Sequence, residues 1–191
     1  LSNMKKLGKK PAEVDAVVLS HIHGDQTGGL WKFLQVSSGV ELYLPKSFPG
    51  EFRAKALKMG VKVIEIDRPA EIARGLYSTG EMGAGVIEQA LIIKTARGLV
   101  VITGCAHPGV VNMVRKAKEV CSGEVYLVLG GFHLMGLSDW EVEKIINELK
   151  GLGVKKIGPS HCTGAWPIEM FRQAWREDFL DLGCGAAVLI D

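Results

Sequence analysis

The sequence predicts a layered α/β fold, and three observations lead to that prediction. Short apolar runs typical of β-strands alternate with stretches whose apolar residues recur every three or four positions, as in amphipathic helices. Strands in the middle of the chain follow one another through short turns, which indicates antiparallel pairs beside parallel ones. No shift in composition marks a second domain, so residues 1–191 are interpreted as one domain.

In the first third of the chain, strands and helices alternate regularly. The predicted strands are residues 14–20, 40–44 and 61–66, and the predicted helices are residues 28–35 and 51–59. Pro45 stops the second strand, because proline cannot donate a backbone hydrogen bond. Phe52, Ala56 and Met59 lie on one face of the second helix, and Gly60 follows it as a C-terminal glycine.

The rest of the chain begins with strands and then returns to alternation. The predicted strands are residues 75–78, 90–95, 99–103, 125–129, 156–159 and 186–190. The predicted helices are residues 110–120, a segment that begins after Ser138, and residues 167–175. Residues 96–98 favour a hairpin. Ser138 and Glu141 have the spacing of a capping box, and Val142 and Leu149 belong to the buried stripe of the helix that follows.

Composition excludes several classes of function. A net charge of +2 gives no reason to expect nucleic acid or an anionic membrane as a partner, so a small-molecule substrate is expected. No apolar stretch approaches the ~20 residues needed to cross a bilayer, and the first residues lack the apolar segment of a signal peptide. The cysteines form no C-x-x-C pair and are interpreted as reduced thiols of a cytoplasmic protein.

The strongest functional signal lies directly after the first predicted strand. Side chains two positions apart lie on the same side of an extended segment, so His21, His23 and Asp25 are expected to converge on one ion. Imidazole together with carboxylate suits Zn, Fe or Mn. A helix that begins near Thr27 would add backbone N–H groups for an anionic substrate. The sequence therefore predicts a divalent-metal site.

The three other histidines also follow predicted strands. His107, His133 and His161 each come just after a strand ends. Ligands of open α/β sheets bind at the carboxyl ends of the strands, so a shared site is predicted. Cys105 is either a buried thiol or a thiolate beside the metal. Cys162 adjoins His161, and its side chain is expected to point away from the site.

Four motifs together resemble a known family. The pattern His21-x-His23-x-Asp25 resembles the H-x-H-x-D-H metal signature of the metallo-β-lactamase superfamily. The later motifs are Gly104-Cys105-Ala106-His107-Pro108-Gly109, Gly130-Gly131-Phe132-His133-Leu134 and His161-Cys162-Thr163-Gly164. They are similar to the branch that includes ribofuranosylaminobenzene 5′-phosphate dihydropterin synthases, called dihydropteroate-synthase-like. The resemblance runs from about Asn3 to the C-terminus and implies a four-layer αββα sandwich.

The resemblance also implies roles for individual residues. His21 and His23 match the first-metal pair, Asp25 the second-metal carboxylate, and His161 the distal histidine of the second site. A further ligand is either Cys105 or His107, and His133 fits a ligand or a substrate contact. The implied metal ligands are His21, His23, Asp25, Gln26, Cys105, His107 and His161, and the implied catalytic residues are Asp25 and His133. The implied cofactor is one or two divalent ions, with zinc preferred over Mn, Fe or Mg.

Two departures from the family pattern bear on function. Gln26 stands where the family usually has histidine, and an amide oxygen is a weaker ligand than imidazole, so a second ion is expected to bind less well. The usual N-terminal strands of the sandwich are missing before Asn3. A homo-oligomer or a partner chain that completes the sheet is therefore expected, because an uncovered sheet edge invites pairing.

Three functional hypotheses remain open at this stage. The first is a metal-dependent hydrolase of a small phosphorylated substrate, or a transferase that joins a dihydropterin-methyl diphosphate to an aminobenzene ribofuranosyl phosphate. The second is a binding or assembly subunit that lost its chemistry when glutamine replaced histidine at position 26. The third is a redox protein that uses one iron and Cys105. Metal content separates them: two ions favour the first, none the second, and coloured iron the third.

Overall fold

A computed structural model describes residues 1–190 and divides into two compact units, Leu1–Asp67 and Arg68–Asp191. Each unit has its own sheet and its own buried core. The expected mixture of parallel and antiparallel strand pairs is confirmed, and the antiparallel pairs all fall in the second unit.

The first unit is a parallel three-stranded sheet with short helices. In chain order its elements are α1 (Ser2–Lys6), β1 (Ala16–Val18), α2 (Gly24–Thr27), α3 (Leu30–Leu34), β2 (Glu41–Pro45), α4 (Gly50–Lys58) and β3 (Lys62–Ile66). The strand order is β1-β2-β3. Leu42 and Leu44 of the central strand are completely buried, and Ala56 places α4 in the same core. Gly60 follows α4 with a φ of 77°, as the sequence predicts for a helix C-terminus.

The second unit holds a mixed six-stranded sheet. Its strands are β4 (Ala70–Ala73), β5 (Leu76–Ser78), β6 (Leu91–Thr95), β7 (Gly98–Thr103), β8 (Val125–Gly131) and β9 (Lys156–Ser160), in that spatial order. Pairs from β4 to β7 are antiparallel, and the predicted hairpin joins β6 to β7. Pairs β7–β8 and β8–β9 are parallel. The carboxyl ends of β7, β8 and β9 therefore lie at one edge.

Three helices cover one face of this second sheet. They are α5 (Val110–Val120), α6 (Asp139–Gly151) and α7 (Ala165–Trp175). The capping box of α6 is confirmed: the Ser138 N–H donates to Glu141 Oε2 at 2.8 Å, and the Glu141 N–H donates to Ser138 Oγ at 3.5 Å. Phe171 of α7 is completely buried, and its ring lies 5.5 Å from that of Phe132. This core holds the three helices against the strands whose ends carry the histidines.

One sequence-based prediction of an element is wrong, and another is confirmed with shorter bounds. Residues 186–190 form no strand, although Val188 and Ile190 pack against the opposite face of the second sheet beside Leu127. Apolar character alone predicted the strand, whereas these two side chains become partly buried without strand pairing. The predicted helix at 28–35 is shortened to α3, since Gly28 and Gly29 lie in the turn between α2 and α3. None of the helices of residues 1–190 combines the length and apolarity that a membrane span needs.

Candidate metal centre

The first unit brings the two N-terminal histidines together. His21 follows β1 by three positions and is fully buried. Its Nδ1 is hydrogen-bonded to Ser20 Oγ at 3.0 Å, which fixes the imidazole; in the tautomer that donates to the hydroxyl, Nε2 carries the lone pair needed for ligation. The ring of the more exposed His23 lies edge-on to that of His21, with centroids 4.8 Å apart and planes at 80°. Two neighbouring imidazoles, one of them held by a hydrogen bond at Nδ1, could supply two of the ligands of a metal ion.

Asp25 follows a different course of the chain from the one expected. The sequence predicted that the extended segment continues to Asp25, but His23 is the N-cap of α2 and Asp25 lies in its first turn. A carboxylate in the first turn of a helix is favourable, because backbone N–H groups there lack helical partners. Gln26 Nε2 donates a hydrogen bond to Asp25 Oδ2 at 3.4 Å. Thr27 Oγ1 donates to the His23 carbonyl oxygen at 3.1 Å and ties the turn together.

In the second unit a buried glutamate organises the loop after β7. Glu88 is completely buried, and its Oε1 accepts the backbone N–H groups of Gly104, Cys105 and Ala106 at 3.1, 2.8 and 2.9 Å. Its Oε2 accepts the backbone N–H of His107 at 3.0 Å and meets His107 Nδ1 at 2.8 Å. The carboxylate thus fixes both the loop and the imidazole ring.

The charge of this glutamate is stabilised by those contacts. Burial raises the pKa of the Glu88 carboxyl, but hydrogen bonds from His107, Ala106 and Cys105 outweigh burial, so the pKa lies below its ordinary value. An ionised acceptor at His107 Nδ1 places the ring proton on that nitrogen. The lone pair of His107 is then at Nε2, as a metal-ligating histidine requires.

The loops after β7, β8 and β9 share an unusual backbone conformation. Ala106, His133 and His161 all have positive φ, at 57°, 53° and 52°. Residues other than glycine seldom adopt this region, and such strain is concentrated at functional sites. The rings of His107 and His133 lie 4.5 Å apart. The three histidines thus follow the carboxyl ends of neighbouring strands, and two of their rings lie together, while a site shared by all of them stays a prediction.

The same edge holds a cluster that the sequence did not predict. One ligand atom each of Cys105, His161 and Cys162 lie within 4.8 Å of one another. The expectation that Cys162 points away is wrong, since its thiol approaches the Cys105 carbonyl oxygen at 3.7 Å. Neighbouring side chains point to opposite sides only in an extended segment, but residues 161–163 form a 3-10 turn that begins with the positive φ of His161. Such a turn removes the alternation.

Glu88 is the residue of the site that the sequence analysis missed. The signal in the sequence was an acidic residue that, together with Gln89, interrupts an apolar stretch just before a predicted strand. A carboxylate rarely occupies such a place unless it is paired. Its partners lie 16 to 19 residues further along the chain, and they are mostly backbone N–H groups, which no side-chain pattern reveals.

The residues present fit a transition-metal ion better than a hard cation. The donors in the two units are imidazole, thiol and carboxylate, and imidazole and thiolate are ligands of zinc and its neighbours rather than of magnesium. Ser20 behind His21 and Glu88 behind His107 are the hydrogen-bonding partners that ligating histidines normally have.

Comparison with known proteins identifies the class. The model of the metallo-β-lactamase superfamily matches residues 1–161, and the chain belongs to this family. A 7,8-dihydropterin-6-methyl-4-(β-D-ribofuranosyl)-aminobenzene-5′-phosphate synthase from Methanocaldococcus jannaschii is 30% identical, over 98% of this chain and 79% of the relative. The branch suggested by the four motifs is therefore confirmed by a relative.

Solved structures confirm the fold. A protein described as a metal-dependent hydrolase of the β-lactamase superfamily matches with a TM-score of 0.82 and 29% identity, over 99% of this chain and 84% of its own. The metallo-β-lactamase fold protein YhfI from Bacillus subtilis matches with a TM-score of 0.62 and 19% identity, over 92% and 76%. The chain has the metallo-β-lactamase fold.

Proposed function

We propose that this chain is a metal-dependent hydrolase that acts on a small phosphorylated substrate. The observation that supports this most is the edge of the second sheet, where strained loops carry His107, His133 and His161 and a buried carboxylate orients one of them. A strained backbone costs stability. Its presence beside several titratable side chains therefore favours a catalytic or binding role for these loops.

The proposed ligands follow the motifs of the family. They are His21, His23, Asp25, His107 and His161, with Gln26 and Cys105 as further donors. Family membership supports this set, together with the hydrogen bonds of Ser20 to His21 and of Glu88 to His107.

The proposed mechanism gives each group one task. A bound divalent ion supplies a Lewis acid that lowers the pKa of water and polarises a phosphoryl oxygen. His107 keeps its proton at Nδ1, from which it donates a hydrogen bond to Glu88 Oε2, and presents Nε2. The Asp25 carboxylate orients the attacking water by accepting a hydrogen bond from it. His133, exposed beside His107, contacts the substrate and gives a proton to the leaving oxygen.

Replacing His23 with alanine is expected to lower the metal content by the ion held at the N-terminal histidine pair, because it deletes one of the paired imidazoles. Elemental analysis of protein purified without added metal gives the ion content per chain. His133→Ala is the matched comparison, and it is expected to keep its metal while turnover of an aryl phosphate falls about 10²-fold or more. Unchanged metal content in the His23 variant would show that the site is assigned to the wrong residues.

Replacing Gln26 with histidine is expected to raise the metal content of protein prepared in limiting zinc. Imidazole is a better zinc ligand than a carboxamide, and position 26 is already beside Asp25. Gln35→His, at the end of α3, makes the same change away from the motif and is expected to have no effect. Equal metal content in both variants would mean that position 26 does not face the ion.

The identity to the archaeal synthase favours a second candidate, a transferase. In that reaction the amine nitrogen of the aminobenzene ribofuranosyl phosphate attacks the pterin methyl carbon, diphosphate leaves with the bonding electrons, and the nitrogen then loses a proton to a base. Incubation with both substrates would release diphosphate in proportion to the joined product. Release of inorganic phosphate from simple aryl phosphates, without any joined product, would instead support the hydrolase.

A further inference from the structure

The proposed mechanism gives no step to the thiols at the edge of the second sheet, where Cys162 lies beside Cys105, one of the further donors. We propose that Cys105, His161 and Cys162 bind a zinc-like ion through two thiolates and one imidazole. The inference extends the proposed function at His161 by naming the chemistry of the ion held there. It is argued from residues of the second unit alone.

The sequence places these residues at corresponding positions of two strands that are not neighbours. Cys105 is the second residue after β7, and Cys162 is the second residue after β9. Because β8 lies between them, β7 and β9 are about 9.6 Å apart, twice the usual strand spacing. Side chains from such strands normally meet only across a side chain of the middle strand.

The end of the middle strand lacks that side chain. β8 finishes with Gly130 and Gly131, and a Cβ built on Gly131 would overlap the Gly104 carbonyl oxygen. It would also lie 2.8 Å from Cys162 Sγ and 3.2 Å from Cys105 Cα. The two cysteine-bearing loops therefore meet in the space that this glycine leaves.

Both loops are held in position by hydrogen bonds. Glu88 Oε1 accepts the backbone N–H of Cys105 at 2.8 Å. Thr163 is completely buried, and its hydroxyl accepts the N–H of Phe132 at 3.1 Å and donates to the Ser160 carbonyl oxygen at 2.6 Å. The strained conformation of His161 is maintained between these anchors. The cluster is thus built by the loops rather than formed by chance contact of mobile side chains.

The distances suit a tetrahedral ion after small side-chain rotations. Zn–S bonds of about 2.3 Å at tetrahedral angles put two sulphur ligands roughly 3.8 Å apart. The three ligand atoms of the cluster already lie within 4.8 Å of one another. Two cysteines and one histidine leave a fourth position for water or substrate, as in zinc sites that carry out catalysis. Soft sulphur ligands select zinc, cobalt or iron over magnesium and manganese.

Cobalt(II) reports directly on sulphur ligation, because thiolate-to-cobalt charge transfer absorbs in the near ultraviolet. Metal-free, reduced protein titrated with Co²⁺ is expected to develop this band. Cys162→Ser is expected to lose about half of its intensity, and the Cys105→Ser, Cys162→Ser double variant all of it. Cys184→Ser changes an exposed cysteine outside the cluster and is expected to keep the full band. Far-ultraviolet circular dichroism verifies that each variant is folded.

The outcomes separate this inference from the proposed function. Cobalt that binds without a charge-transfer band, or a band that survives in the double variant, would overturn the thiolate site and leave the hydrolase proposal standing. Two thiols that resist titration until a reductant is added, with no band afterwards, would show that the pair serves as a disulfide and would also overturn it. A band that persists in His23→Ala would show that the sulphur site binds without the N-terminal histidines.

Discussion

Replacing Glu88 with alanine is expected to lower the free energy of unfolding by roughly 3–5 kcal/mol, the cost of breaking a buried charged network. The carboxylate is the shared acceptor of the backbone N–H groups of Gly104, Cys105, Ala106 and His107, and of the His107 ring. Alanine would leave these donors in a buried loop without an acceptor, and each such group costs about 1–3 kcal/mol. Urea denaturation followed by circular dichroism measures the change.

Two further variants test whether this glutamate also positions the site. Glu88→Gln keeps an oxygen for the first three N–H groups but turns an NH₂ group toward His107, so a smaller loss of stability with a comparable loss of metal is expected. Glu143→Ala removes an exposed carboxylate from α6 and is expected to change stability by no more than about 0.5 kcal/mol. A Glu88→Gln protein with normal metal content would restrict Glu88 to a structural role.

The sequence predicted the positions of the histidines well because that prediction needs only local information. A strand can be recognised from its apolar run, and the parallel pairing of β7, β8 and β9 necessarily brings their carboxyl ends to one edge. His107, His133 and His161 follow those ends directly, so their gathering required no knowledge of side-chain conformation. The motifs then connected the pattern to the correct family.

The predictions that were wrong, and the residue that was missed, depend on interactions that a short stretch of sequence does not reveal. The direction of Cys162 depends on a single positive φ at His161, which no neighbouring residue signals. The role of Glu88 depends on backbone N–H groups that any residue could supply. The course of the chain at Asp25 depends on a helix that begins one residue after His23, where an extended segment was expected. In each case, the backbone conformation of a loop or turn determined where the side chain lies or what it contacts.

Gly131, at the end of β8, allows the loops after β7 and β9 to approach each other. Replacing Gly131 with alanine is expected to destabilise the protein by roughly 1–3 kcal/mol. The added Cβ would overlap the Gly104 carbonyl oxygen, a backbone atom held by the β7 loop, and would press on Cys162 Sγ at 2.8 Å. Gly131 is not among the glycines with positive φ, so the cost is one of space rather than of backbone conformation. The thiol can rotate away more easily than the carbonyl, so Cys162 is expected to leave the cluster.

Two measurements distinguish displacement of the thiol from a general loss of stability. Gly131→Ala is expected to lower the urea midpoint and also to weaken the thiolate-to-cobalt band, because Cys162 no longer faces Cys105. Gly151→Ala is the matched control, since a Cβ there meets nothing within 4 Å and alanine favours the helix by up to about 1 kcal/mol. A Gly131 variant with wild-type stability would show that the β7 and β9 loops can separate freely. The close approach of Cys105 and Cys162 would then not depend on the glycine between them.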